Sequence, residues 1–445
     1  MVLVDRLMGV FRSREFMIFF VLLFIYLANP NAISFNDVAA TRLLPISIIR
    51  ERNLDLNEFG FLYENQPVLP YFLGNVSGRI VSYYPVFTAV LAVPVYILPV
   101  ALGLDPQSTD VFILSRLSAA LMTILSALFL YWTIRRMSGD RIASVITLVY
   151  SIGTANWFVS GQDLWQHGPG VLFIAVTLYL FERGKSEVKY VKYAGFALSW
   201  LVAVRPPNLL IALVLSAYVF MEYRREFWKF LLCAMPVAVM LLAYSSAYLH
   251  SAFLLGQLRQ PTEIGTMPLL DGLMALLFSP NRGLFVFSPA LILSIAGIAY
   301  EYLGKKGSMQ MRYYSIAVAA AVLLWSTYWG WHGGACYGPR VLIETLPFLC
   351  VFLVVPVEKM LTDWKLKAVL AALIALSVFI NFIGVAAWDG SWEASHGLDY
   401  GRYLTHDVSR ADMEYVLKVM WDAQDVSWIY YSKKFFAHIL RAITF

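Results

Sequence analysis

The sequence predicts an all-α integral membrane protein of about eleven transmembrane helices, with a large first extracytoplasmic loop that carries juxtamembrane helices. Composition, recurrent apolar runs and a one-sided distribution of basic residues lead to this fold class. Of the 445 residues, 60% are hydrophobic and 14% charged. The mean hydropathy is +0.66, well beyond the roughly half-apolar make-up of soluble domains. Apolar runs near the roughly 20 residues that a spanning helix needs recur along the chain. Lys and Arg gather in alternate connections, the mark of cytoplasmic loops. The net charge of +5 reads as this loop bias, so no nucleic-acid partner is expected. Cys233, Cys336 and Cys350 are scattered without a CxxC pair, which suggests neither a disulfide framework nor a zinc site.

At the amino terminus Arg6, Arg12 and Arg14 precede an apolar run over 16–28 that lacks a small-residue cleavage site. It reads as a retained first span with its start inside. Residues 84–103 are long enough to cross, yet they contain Pro85, Pro94 and Pro99 and have no Lys or Arg at either end. Charge decides their placement. The five later basic connections, 135–141, 183–192, 224–229, 305–312 and 359–367, all fall in the cytoplasm only if 84–103 lies along the outer interface. Spans then begin near Phe112, Arg141, Gly168, Tyr190, Pro207, Phe227, Leu284, Arg312, Val341 and Leu366. Residues 1–388 form the transmembrane domain, with the first external loop at 29–110, and 389–445 form an extracytoplasmic tail or small subdomain.

Within the first loop, 37–52 reads as a helix with Val38, Leu43, Leu44, Ile46, Ile48 and Ile49 as its apolar positions. Asn36 or Asp37 stands near its start, and Pro45 would bend or shorten it. The tail ends in VSWIYYSKKFFAHILRAITF, which suits either an amphipathic helix on the membrane surface or a packed subdomain.

On this topology the outward connections share a set of chemically capable residues. Asp37 follows the first span, and SGQDLWQHGPG carries Asp163 and His167. Arg205 lies in VRPPN, Arg282 in SPNRG, and GWHGGACYGPR holds Trp331, His332, Tyr337 and Arg340. Ionisable groups near hydrocarbon usually face a cavity or a partner. The signal lies in their convergence on one membrane face.

Four features carry a resemblance to a known family. Asp37 sits in ISFNDVAATRLL, in a large external loop that also holds the juxtamembrane stretch 84–103. The second span, RLSAALMTILSALFLYWTIRRMSGDR, is led by an arginine and ends in a basic turn. Later external loops present scattered acids, His and Arg, and the chain closes on an external tail. Over about 16–388 the chain thus resembles the GT-C fold glycosyltransferases, the protein mannosyltransferase and aminoarabinose transferase-like superfamily. The resemblance implies transfer of a sugar from a polyprenyl-phosphate donor to a glycan, lipid or protein acceptor, with inversion. It also implies a multi-pass protein of the plasma (inner) membrane, in contact with membrane lipid, with its active site on the extracytoplasmic face. The acid that the family often pairs with this Asp is missing, since Asn36 precedes Asp37 and Val38 follows it. No cofactor is therefore required and no metal ligand is assigned, although a divalent cation is compatible.

Asp37 is the candidate general base, against its plain reading as a helix N-cap. Arg340 follows a glycine-rich turn at the outer end of a span, where a guanidinium can grip donor phosphate bidentately; the alternative is a snorkelling anchor. Arg205, Arg282 and His167 complete the phosphate-binding set, although Pro206, Pro207 and Pro280 also suit structural corners. Asp163, one helical turn before His167, joins Trp329, Trp331, His332 and Tyr337 as substrate-binding candidates. Asp163 and His167 would suit a metal only with a third ligand from elsewhere, and the tryptophans could equally form an interfacial belt. A transporter or lipid-linked-glycan flippase would more usually show mid-membrane charges and repeated halves. A glycan ligase or polymerase differs mainly in its donor.

Overall fold

The computed structural model describes residues 13–29, 31, 33, 36–250, 265–304, 307–398 and 409–443. Arg6, Arg12, Lys305 and Lys306 of the basic connections lie outside these residues. Helix α1 (Arg14–Leu27) starts at Ser13, whose side chain accepts from Phe16 N at 3.2 Å. The first external loop then folds as α2 (Ala39–Arg50), a hairpin of β1 (Leu73–Val76) and β2 (Arg79–Ser82), and α3 (Phe87–Ala101). The hairpin is antiparallel, with Leu73 opposite Ser82. Helix α2 runs on through Pro45. Helix α3 is 15 residues, about 22 Å long. It packs against α2.

The bundle follows with α4 (Asp110–Ser138), α5 (Asp140–Ile152), α6 (His167–Gly184), α7 (Tyr193–Val204), α8 (Leu209–Glu222), α9 (Phe227–Tyr248) and α10 (Leu269–Phe278). It continues with α11 (Leu293–Leu303), α12 (Met309–Ser326), α13 (Leu346–Phe352), α14 (Val354–Met360), α15 (Trp364–Ala387), α16 (Arg410–Met420) and α17 (Ser427–Ile443). Several of these helices, among them α5, α7, α8 and α11, are only 11–14 residues long. Among the described residues α4, α9 and α15 are each long and apolar enough to cross a bilayer alone, and 340–352 with 354–360 form a pair bent by 48°. Helix α4 packs against α1, α5 and α6 and is the most enclosed of the three long helices. Helix α9 leaves Leu232, Met235 and Val239 exposed, as a lipid-facing helix should.

Opposite ends of the bundle differ in character. At one end Arg135 pairs with Glu15 at 2.7 Å and Asp140 at 2.9 Å, and Lys359 lies over Tyr300. The first-loop hairpin and the candidate site residues gather at the other. The tail is stitched into the bundle: α17 packs along α15, Asn281 Nδ2 donates to Val419 O at 2.9 Å, and Glu393 is fully buried. The described residues beyond 388 therefore pack against the bundle.

Candidate active site

Asp37 lies in a one-turn helix, Asn36–Val38, and α2 begins two residues later with no side-chain cap. Its carboxylate turns elsewhere. Oδ2 accepts from Arg340 Nη1 at 2.8 Å and Oδ1 accepts from the Tyr71 hydroxyl. Both ion-pair side chains keep 19% of their surface accessible. The guanidinium of Arg340 also stacks over Trp165, 4.6 Å from the ring centroid. Two residues on, Trp165 is followed by His167, with ring centroids 5.7 Å apart.

Behind this pair sits a closed cluster built on Glu344. The residue lies in the turn Arg340–Thr345, just before α13. Its Oε1 accepts from His167 Nδ1 at 2.9 Å and its Oε2 from Arg205 Nη1. Side-chain exposure is 3% for Glu344 and 6% for Arg205. Arg205 further lies over Trp325, 4.7 Å from its centroid. Gly170 opens the space for this: a Cβ there would stand 3.1 Å from Glu344 Oε1. Trp165 lies between the two groups, under the Arg340 guanidinium and beside the His167 ring.

The glycine turn after α12 adopts positive φ at Gly333, Gly334 and Gly338, of 79°, 68° and 76°, which side-chain-bearing residues rarely tolerate. Arg282 holds it from behind. Its Nε donates to His332 O at 3.1 Å, and Nη1 to Asn281 O at 2.7 Å. Nη2 reaches Gly334 O and Glu393 Oε1 at 3.5 and 3.2 Å. Glu393 also accepts from Trp388 Nε1 and the Tyr431 hydroxyl, at 3.1 and 2.6 Å. Arg282 is thus fully buried and committed to backbone and tail, which corrects its expected place among the phosphate ligands.

Other expected contacts are also reassigned. Asp163 and His167 do not stand together as a ligand pair. Asp163 Oδ2 takes Arg42 Nη2 at 2.5 Å, and its Oδ1 takes Arg42 Nε at 3.2 Å and Ser115 Oγ at 2.6 Å. Its substrate-binding role gives way to a buried fork-to-fork ion pair. The Tyr337 hydroxyl donates to Ile380 O at 2.8 Å inside the core, and Trp331 is fully buried, so neither offers a face to a sugar. Trp329 is nearly as enclosed. His332 Nδ1 accepts from Gly334 N at 3.1 Å. Burial, reinforced by the charges of Arg282 and Arg340, pushes this imidazole down to about 3, so it acts as a neutral brace for the turn. Burial pushes the Cys336 thiol up to about 12. Among the described residues no three His, Cys, Asp or Glu side chains gather as metal ligands. The Asp37, Asp163 and Glu344 carboxylates each face a guanidinium.

Glu344, Arg42, Glu393 and Tyr71 escaped the sequence reading. Glu344 and Arg42 did leave a signal, since each is an ionisable residue inside an apolar run. Tyr71 left none.

Compared with known proteins, residues 76–252 match the Alg9-like mannosyltransferase family. No curated protein sequence matches. Among solved structures, ArnT from Cupriavidus metallidurans bound to undecaprenyl phosphate is similar with a TM-score of 0.52 and 15% identity, over 92% of this chain and 74% of that one. The Archaeoglobus fulgidus oligosaccharyltransferase tethered with an acceptor peptide aligns with a TM-score of 0.48 and 13% identity, over 94% of this chain and 61% of that one.

Proposed function

We propose, on the premise that this membrane chain has the GT-C fold, that it is a glycosyltransferase moving one sugar from a polyprenyl-phosphate donor to an extracytoplasmic acceptor. The observation that carries the reading is the meeting of Asp37 and Arg340, 303 residues apart in sequence, at 2.8 Å. One has the chemistry of a general base and the other that of a phosphate clamp. Stacking on Trp165 keeps the planar fork of Arg340 oriented for bidentate contact with phosphate oxygens. Arg205 and His167, held by Glu344, stand behind it as fixed dipoles and charge.

In the proposed reaction the acceptor hydroxyl attacks the anomeric carbon and gives its proton to Asp37 Oδ2. The bond from that carbon to the phosphate oxygen breaks, and its electron pair leaves on the lipid phosphate against Arg340. Attack opposite the leaving group inverts the anomeric centre. The acceptor class is a hydroxyl of a glycan, lipid or protein. The chain crosses the plasma membrane about eleven times, with this site outside. Guanidinium groups meet the charge of the leaving group, and we propose that no metal is required.

The test uses the full chain in lipid nanodiscs with radiolabelled polyprenyl-phosphate mannose, glucose and arabinose, a native membrane extract as acceptor pool, and EDTA in a parallel series. One donor should be consumed with or without chelator. Asp37→Asn, which preserves shape, should reduce turnover at least about a hundredfold while polyprenyl phosphate still binds. A wild-type protein that consumes none of the donors, or an Asp37→Asn protein with normal turnover, would sink the proposal.

A further inference from the structure

Both oxygens of Asp37 are taken, but by partners of different kinds. Arg340 on Oδ2 is a cation that a lipid phosphate would attract. Tyr71 on Oδ1 is a neutral donor with no such competitor. Tyr71 is also mounted rigidly. It directly precedes the hairpin, where Leu73 N donates to Pro70 O at 2.8 Å and Tyr83 N to Phe72 O at 3.0 Å. Its neighbours Phe72 and Leu73 are buried, and its ring meets that of Phe72 edge-on with centroids 5.5 Å apart. Asp37 itself sits on a single helical turn, Asn36–Val38, and its carboxylate does not cap α2, so it can rotate unless these two partners hold it.

We infer that Tyr71 is a positioning residue for Asp37: it holds Oδ1 while Arg340 covers Oδ2, so movement of Arg340 onto the donor phosphate bares an already oriented Oδ2 for the acceptor hydroxyl. The inference rests on Asp37 being the base. Donor binding then precedes productive acceptor binding, because an empty site keeps its base covered. Without the Tyr71 hydroxyl the released carboxylate swings between rotamers, and the loss falls on turnover rather than on donor affinity.

The experiment compares wild type, Tyr71→Phe, Asp37→Asn and the double variant, as full chains in nanodiscs with the polyprenyl-phosphate sugar that the wild type consumes. Tyr71→Phe removes one oxygen and keeps the ring. It should reduce kcat about tenfold or more, the scale of a hydrogen bond to a charged group, and leave the donor KM within about twofold. On the Asp37→Asn background the same change should add nothing, since Tyr71 acts only through that carboxylate. A Tyr71→Phe enzyme with wild-type kcat, or one whose loss persists undiminished on the Asp37→Asn background, overturns the inference. The second comparison holds even if the variant is less stable. If Asp37→Asn alone keeps full activity, the base assignment fails; if it is inactive while Tyr71→Phe is normal, only the role of Tyr71 fails.

Discussion

Replacing Glu344 by Gln should destabilise the protein far more than any change at the Asp37–Arg340 pair, because the two ion pairs differ in burial. The side chains of Glu344 and Arg205 are 3% and 6% exposed, whereas those of Asp37 and Arg340 are each 19% exposed. A lone guanidinium in the first site has no water to turn to. Breaking a buried pair from one side typically costs about 3–5 kcal/mol, and the His167 hydrogen bond is weakened with it. We expect Glu344→Gln to lower the unfolding free energy by about 3 kcal/mol, read by equilibrium denaturation in mixed micelles. Removing both charges with Arg205→Met and Glu344→Gln should recover much of that loss, giving a coupling of about 2 kcal/mol. The reasoning is refuted if Glu344→Gln unfolds with the wild type, or if the single and double changes are additive.

Two further outcomes are expected. Affinity for polyprenyl phosphate should fall in the order wild type, Arg340→Lys, Arg340→Ala, because Lys keeps the charge but loses the fork; near-equal binding of all three in nanodiscs would mark Arg340 as a membrane anchor. For sidedness, a cysteine introduced at exposed Lys185 should be shielded from an impermeant external thiol reagent in intact cells while one at exposed Ser395 reacts, in a background lacking Cys233. The reverse pattern would invert the bundle and move the site to the cytoplasm.

The two ends of the bundle show which features were legible in the sequence. Helix positions follow from apolar run length, a quantity that each segment carries on its own. Asp37, Arg340, His167 and Arg205 were also legible as members of one set, since a shared face follows from topology alone. Their partners were not. Asp163 resembled a ligand next to His167 on a helical turn, yet the helix begins only at His167 and the carboxylate turns to Arg42. Arg282 had the same local signature as Arg340, a basic residue beside Gly and Pro. Only the tail, folding back to place Glu393 against it, made one a buried brace and left the other at an accessible pair.

The sequence by itself therefore determined the solvent and the run of helices, because transfer free energy adds up residue by residue. Tertiary structure decided which charges are deeply buried and which stay partly accessible. Those choices rest on contacts across 303 residues for Arg340 with Asp37, 139 for Arg205 with Glu344 and 111 for Arg282 with Glu393. Ion-pair strength depends on how much water is left around both partners, and only packing sets that.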